Sequence, residues 1–277
     1  MGGLPLESFD TFDRADLYFM GDGSDSRQDT PMTLYHTIAD DFYVNMQLQT
    51  TLELPQNRES LIHFFEQVQR RFPKMKVLTQ REREFFLEED KEESSYRWVS
   101  ADIKRLSSGV VNPVTLEDAA QLHREVLGIV PYSLSVSHLD CETLNLVYGF
   151  DFTYRGNHNQ LLADAIGLPP AFESMIEMEG AKVLGYEPSL QLTLDAELKT
   201  QCRISFETRT SPFSLKTGEY PEEQLSVYLS LRRIDSLGQD ERFDEEIGRL
   251  SEIGKRLLDE YMVPHVLKPL QKAISLK

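Results

Sequence analysis

The sequence contains few cysteines and none of the short motifs that mark common enzyme classes. Its 277 residues include two cysteines, Cys141 and Cys202. The phosphate-binding patterns GxGxxG and GxxxxGK followed by Ser or Thr are absent, and so is the GxSxG pattern of a nucleophilic serine. Both cysteines stand in or beside predicted strands. We therefore expect two buried free thiols, with a single disulfide as the alternative.

Histidine is also sparse, and the six histidines form no metal-binding pattern. Neither HxH nor HxxxH occurs, whereas a metal site needs His, Cys, Asp or Glu at short spacings. His138 and Cys141 are close in sequence, so the alternatives are a metal site that includes Cys202 or a Cys–His nucleophilic pair. We favour structural roles for all three residues. We expect no metal, no cofactor and no catalytic residue, and we lean against an enzyme.

Long apolar runs and net positive charge are both missing. No segment approaches the run of about 18 apolar residues that a membrane helix needs, and the N-terminus has no signal-peptide pattern. The formal net charge is −17, from 46 acidic and 29 basic residues. A surface this acidic repels phosphate backbones and anionic lipids. We therefore expect a soluble, cytoplasmic protein with no nucleic-acid partner and no membrane partner.

Residues 1–40 are predicted to be an acidic lead-in that is partly mobile. The segment 22–31 is rich in Asp, Ser and Gly, which is typical of turns. Its aspartates lack the alternating acids, the glycine and the final glutamate of a calcium loop. We interpret the segment as a solvated acidic loop.

A long alternating stretch in the middle of the chain predicts the centre of the fold. Apolar residues occupy every second position of this stretch, namely Leu144, Leu146, Tyr148, Phe150, Phe152 and Tyr154. A period of two predicts one strand over 142–154 with a single buried face. Val147 alone breaks the alternation, because the other intervening positions are polar or glycine.

The same reasoning predicts the remaining elements. Alternating apolar residues predict strands at 42–54, 84–88, 130–139, 190–194, 202–206 and 225–231, and a hairpin over 96–111. Apolar residues at helical spacing predict helices at 58–72, from Thr115 onwards, at 159–166 and at the C-terminus. Pro264 is expected to break the last helix, and residues 211–223 are expected to form a loop.

The second half of the chain resembles a copy of the first half. Adding 106 to the residue numbers places 42–52 on 148–158 and aligns Arg97 with Arg203, although alternating strands also align by chance. The two arginines are then expected to be equivalent ion-pair residues. We predict an α+β fold with two related halves, 41–129 and 130–277. Each half runs long strand, helix, antiparallel strands and helix, with the helices packed on one face.

The polar positions of the long strands are the candidate binding site. If the two strands lie side by side about a pseudo-twofold axis, their polar faces meet in a shared cleft or face the solvent. The candidate residues are Asn45, Gln47, Asn145, Asp151, Thr153 and Arg203. Asp151 has the most functional interest, although an outward-facing acid on a half-solvated sheet is the simpler interpretation.

The order of elements also supports a resemblance to known proteins. It is carried by FEQVQRRFPKMKVL (65–78), YRWVSADIKRLSSGVVNP (96–113), SVSHLDCETLNLVYGFDFTY (135–154) and NQLLADAIG (159–167). Over residues 42–262 the chain resembles a sporadically distributed bacterial family of uncharacterised proteins of about this length. It departs from the family at Leu146–Tyr148, where the family has an arginine–tyrosine start. The resemblance implies no assigned activity and therefore carries over no catalytic residue.

These observations favour a non-enzymatic binding or interaction protein, because a well-patterned chain carries no catalytic motif. A protein partner or self-association is favoured over a small molecule. The alternatives are an enzyme or small-ligand binder with a polar cleft between the halves, and an acidic protein that mimics nucleic acid.

Overall fold

A single antiparallel sheet forms the centre of the structure. The computed structural model describes residues 34–277, and the acidic loop predicted at 22–31 lies outside them. The strands in this range are β1 (Asp41–Thr50), β2 (Val77–Arg81), β3 (Glu84–Glu88), β4 (Tyr96–Ala101), β5 (Arg105–Val111), β6 (Cys141–Arg155), β7 (Ser189–Thr193), β8 (Thr200–Glu207) and β9 (Glu222–Ile234). They form one sheet in the order β2-β3-β4-β5-β1-β6-β9-β8-β7. Together with the helices, this sheet makes the fold α+β.

The α-helices lie between the strands and at the C-terminal end of the chain. They are α1 (Arg58–Arg71), α2 (Leu116–Ser133), α3 (His158–Ile166), α4 (Pro170–Ile176), α5 (Pro212–Thr217), α6 (Phe243–Leu257) and α7 (Lys268–Ser275). A π-helical stretch, Leu258–Leu267, joins α6 to α7. None of the helices within residues 34–277 combines the length and the apolar character that crossing a membrane requires.

The long strand β6 lies at the centre of the sheet, between β1 and β9. Its alternating residues Leu144, Leu146 and Phe150 are fully buried, as the period of two predicted. Phe150 stacks on Phe42 of β1 with the ring centroids 4.8 Å apart. Burying an apolar side chain of this size contributes about 1.5–3 kcal/mol. The pairing of β1 with β6 is therefore a major part of the core.

The two faces of the sheet contact different parts of the molecule. Even-numbered residues of β1 and β6 belong to the main core together with helix residues such as Phe64, Leu122 and Ile247, and we call this side the helix face. Odd-numbered residues point to the opposite side. There a second hydrophobic cluster contains strand residues alone, namely Tyr43, Tyr96, Val111, Val147 and Tyr228, with Trp98 packed against it. We call this side the open face, and Val147 interrupts the alternation because it belongs to this cluster.

Local capping residues determine where two of the helices begin. The Asn57 side chain accepts a hydrogen bond from Ser60 N at 2.8 Å and caps α1. Thr115 and Asp118 form a reciprocal capping box at the start of α2, the helix predicted from Thr115 onwards. Such caps contribute about 1 kcal/mol each, so these starting points are well defined.

The predicted strand at 130–139 is wrong. Helix α2 continues to Ser133, and a 3-10 turn follows at His138–Asp140. Ile129 and Val130 are adjacent apolar residues, and such a pair fits a buried helix as well as a strand. The preceding helical pattern decides between the two.

Two predictions near the C-terminus are also wrong. The predicted loop at 211–223 contains the short helix α5, whose N-terminus Ser211 caps. Pro264 does not break the C-terminal helix, because it lies inside the π-helical stretch that continues into α7. A π-helical stretch displaces the backbone hydrogen bonds by one residue and so accommodates a proline that has no N–H.

Candidate functional site

All the side chains predicted to line a cleft lie on the open face. Directly paired residues of antiparallel strands point to the same side of a sheet. Gln47 is paired with Asn145, and one continuous row runs from Asn45 through Val147 and Ser230 to Arg203. The complete set is Asn45, Gln47, Asn145, Asp151, Thr153 and Arg203.

A row of hydrogen-bonded polar side chains crosses the three central strands. Arg232 Nε of β9 donates to Asn145 Oδ1 at 2.8 Å, and Asn145 Nδ2 donates to Gln47 Oε1 at 3.4 Å. The three residues are between 3 and 5 % exposed. Burying a charged guanidinium is costly unless it is hydrogen-bonded. The amide of Asn145 therefore helps to hold the Arg232 charge on the open face.

Aromatic side chains lie in the adjacent row, where glycine leaves space for them. Tyr43 and Tyr228 flank Gly149, and a Cβ at Gly149 would overlap the Tyr43 ring. Trp98 lies against Gly109 in the same way. A strand glycine commonly marks such a close approach. The two glycines thus allow large rings to lie directly against the sheet.

Asp151 is a buried acid with a raised pKa. It is 2 % exposed, and this burial raises the pKa of its carboxyl from 3.8 to about 6, against the lowering effects of the Ser226 hydroxyl and Arg209. Its Oδ1 atom has no hydrogen-bond partner in the part of the chain that the structure describes. Asp151 therefore carries one buried, unsatisfied acceptor on this side of the sheet.

Replacing Asp151 with asparagine is expected to stabilise the protein at pH 8 by about 2–3 kcal/mol, since a pKa rise of roughly two units corresponds to about 2.7 kcal/mol. A raised pKa means that the wild-type protein loses stability as the pH rises through 6. The asparagine variant has no such loss, so its advantage should disappear near pH 4. Urea unfolding at pH 4, 6 and 8 measures the difference.

The matched control for this variant is Thr153→Val, on the exposed end of the same strand. It is expected to change the free energy of unfolding by no more than about 0.5 kcal/mol at any of these pH values. If Asp151→Asn gave no gain in stability at pH 8, or the same gain at every pH, the result would contradict a raised pKa for Asp151.

Thr153 and Arg203 lie on the open face but outside its buried polar row. The backbone N–H of Thr153 donates to Asp40 Oδ2 at 2.5 Å, and its side chain is exposed. Arg203 Nε donates to Ser189 Oγ of β7 at 3.0 Å, and β9 separates its strand from β6. Both residues therefore line the margin of the open face.

The predicted equivalence of Arg97 and Arg203 is wrong. Arg97 is paired with Val110, a residue of the main core, and so it lies on the helix face. There it forms an ion pair with Glu89 at 3.4 Å and lies over the Phe72 ring. The connections between strands differ in length between the two halves. Adding the same number to every residue therefore does not keep the aligned side chains on the same face of the sheet.

Sequence reasoning missed Tyr43, Trp98, Tyr228 and Arg232. Tyr228 and Arg232 alternate with the apolar residues of β9, so the parity that selected Asn145 would also have selected them. For Tyr43 and Trp98, the sequence indicates less clearly which face of the sheet the side chain occupies. An aromatic side chain fits either face of a sheet, and its identity does not reveal which face is covered by helices.

The two cysteines take no part in this site. Cys141 and Cys202 are both buried and free, and burial raises the pKa of each thiol. A reactive cysteine needs a lowered pKa, so neither thiol is activated. Within residues 34–277, no three His, Cys, Asp or Glu side chains converge as metal ligands.

Comparison with known proteins assigns this chain to no family, because no family model matches it and no curated protein matches it. The resemblance to a bacterial family over residues 42–262 therefore stays a prediction. The residues of the open face are the remaining basis for a function.

Proposed function

We propose that this protein is a non-enzymatic binding protein and that its open face holds a segment of a partner protein. The observation behind this proposal is the composition of that face, where Trp98, Tyr43, Tyr228 and Arg232 gather on strands alone. Tryptophan, tyrosine and arginine are the residues that most often dominate the binding energy of protein interfaces. Trp98 is partly exposed and so presents an aromatic anchor to a partner, with the buried Tyr43 and Tyr228 packed in the cluster behind it.

The polar atoms of the open face indicate what the partner segment carries. Arg203 and Arg232 both lie on this face and place positive charge there, in a chain of net charge −17. Arg203 is partly exposed at the margin, so it can contact a partner directly. Complementary charge favours an acidic partner at such a surface. We therefore expect a segment that carries at least one Asp or Glu.

Site-specific photo-crosslinking in the cells that make the protein tests this surface. A photoreactive phenylalanine analogue is introduced at Trp98 or at Arg203 in the full chain. The control position is Tyr132 on α2, which is 83 % exposed and lies away from the open face. We expect a discrete protein adduct from both open-face positions and none from Tyr132.

A charge reversal separates partner binding from folding. Arg203→Glu changes a partly exposed side chain at the margin of the open face. It is expected to reduce the adduct yield at position 98 about tenfold or more, because a like charge would then face the acidic segment. The thermal midpoint should stay within a few degrees of the wild-type value. Adducts from Tyr132 alone, or a yield that Arg203→Glu does not change, would contradict the proposal.

We further infer that the halves 41–129 and 130–277 are related by an approximate twofold axis between β1 and β6. The strand order supports this, because β5, β4, β3 and β2 follow β1 outwards while β9, β8 and β7 follow β6. Superposing β1, β4 and β5 on β6, β8 and β9 tests the relation. If the helices that follow β5 and β9 did not then coincide, the two halves would be unrelated.

A further inference from the structure

The two edge strands of the sheet differ in how they are protected from pairing with another chain. Strand β2 contains Arg81 and follows Lys76, and such charges discourage edge-to-edge pairing. Strand β7 has the sequence SLQLT, with no charge and no proline, and all five residues are exposed. In a chain of net charge −17, this neutral strand is an unprotected edge.

Apolar side chains lie next to this edge on the helix face. Leu190 is paired with Ile204, which packs against the main core, and Leu192 and Leu194 follow on the same side. Their exposed fractions are 54, 47 and 38 %. Within residues 34–277, the exposed large hydrophobic side chains number 17, and eight of these lie between residues 172 and 198. The three leucines at 190, 192 and 194 form an exposed apolar row beside the edge, and exposed apolar patches of this kind mark interaction sites.

The backbone of β7 directs its remaining hydrogen-bonding groups outward at alternate residues. Leu194 N donates to Thr200 O at 2.7 Å, so this N–H points towards β8. Successive N–H groups of a strand point to opposite sides, so those of Leu190 and Leu192 also point towards β8. The N–H groups of Gln191 and Thr193 therefore point away from the sheet.

We propose that β7 pairs with β7 of a second copy of this chain, antiparallel and about a twofold axis at Gln191. In this register Gln191 faces Gln191 of the second copy, and Ser189 faces Thr193 of the second copy. These are the residues whose backbone groups point outward, so each pair exchanges two hydrogen bonds. Leu190 then lies beside Leu192 of the second copy, on the helix face.

Two features of this edge favour a second copy as the occupant. The strand is neutral and its outward groups are self-complementary about Gln191, so two chains of net charge −17 meet where neither carries charge. The pairing also covers the exposed leucines beside this edge, namely Leu190, Leu192 and Leu194, and burying apolar area favours association. An isologous interface of this kind accounts for both the edge and the apolar stretch.

One type of like-charge contact occurs in this register, and the twofold axis repeats it at both ends. Glu187 faces Asp195 of the second copy, two residues beyond the ends of the paired strands. Each carboxylate is already held by donors of its own chain, because Thr208 N donates to Glu187 at 2.7 Å and Thr200 N donates to Asp195 at 2.6 Å. The repulsion is therefore confined to two hydrogen-bonded groups of each chain, outside the ladder.

Light scattering of the full chain across a concentration series tests the proposal. We expect the wild-type protein to have twice the monomer mass, and Leu190→Lys/Leu192→Lys to raise the dimer Kd by about 100-fold or more, since both central contacts are lost. Gln191→Pro removes one outward N–H and no bond to β8, so it should also give a monomer. Leu78→Lys, on the opposite edge, is the matched control and should stay dimeric.

Hydrogen exchange provides a readout that misfolding of a variant does not mimic. The amides of Gln191 and Thr193 should be protected in the wild-type dimer and exchange at least about tenfold faster in Leu190→Lys/Leu192→Lys, while the β6 amides stay protected in both. A wild-type protein that is monomeric at every concentration would overturn the proposal. So would a dimer that persists in Gln191→Pro or dissociates in Leu78→Lys.

Discussion

A Gly149→Val variant is expected to lose about 3 kcal/mol of unfolding free energy, the upper end of the cost of overpacking a well-packed site. Gly149 lies in β6 and is paired with β1 on one side and with β9 on the other. A Cβ there would overlap the ring of Tyr43, which is 1 % exposed and has no free space to move into. The loss should appear as a lower urea midpoint with an unchanged m value.

Two further variants identify the Tyr43 ring as the cause. Gly128 lies in α2, where a Cβ meets open space, so Gly128→Ala should stabilise the protein by about 0.5–1 kcal/mol through its helix propensity. Tyr43→Ala should be destabilising alone but less than additive with Gly149→Val, by at least about 1 kcal/mol. Strictly additive losses would show that the ring does not limit the space at Gly149.

Lowering the pH from 6.5 to 4.5 is expected to cost roughly 2.7 kcal/mol of stability through His123 alone. His123 lies in α2, fully buried, with its Nδ1 atom 2.8 Å from Ser108 Oγ of β5. Burial lowers the pKa of the imidazole from 6.5 to about 3. Between these two values the unfolded chain binds a proton that the folded chain does not bind. Stability is therefore complete above pH 6.5 and falls as the pH is lowered.

A pair of variants isolates this contribution. Ser108→Ala keeps the buried imidazole, whereas His123→Leu/Ser108→Ala removes it together with the hydroxyl that would lose its partner. The free energy of unfolding is measured from pH 7.5 to 4.5. Its slope should be smaller in the double variant by about 1.4 kcal/mol per pH unit below 6.5. The opposite contribution of Asp151 is the same in both variants and cancels. Equal slopes would show that folding does not depress the pKa of His123.

The facing of the candidate residues was predictable from sequence, but their burial was not. Alternation along one strand determines which side chains share a face, so Asn145 and Asp151 were assigned together correctly. Whether that face is solvated depends on neighbouring strands. Asn145 is 3 % exposed and bonded to Arg232 of β9, some 87 residues away, and no local pattern contains that pairing.

Length explains which elements were predicted well. β6 has 15 residues, and its alternation is too long to be mistaken for a helix. The segment that begins at Val130 is short and apolar, so the period of a strand and the period of a helix both fit it. The single offset of 106 failed for Arg97 for a related reason, because it assumed connections of equal length between the strands of the two halves.

The pairing of β1 with β6 has a consequence for the synthesis of this chain. Gln47 and Asn145 meet although they are 98 residues apart. A ribosome that adds about 5–20 residues per second delivers β6 roughly 5–20 s after β1. The hairpin of β4 and β5 emerges earlier and can pair with only one side of β1. The other side of β1 therefore keeps its backbone hydrogen-bonding groups unpaired until translation reaches β6.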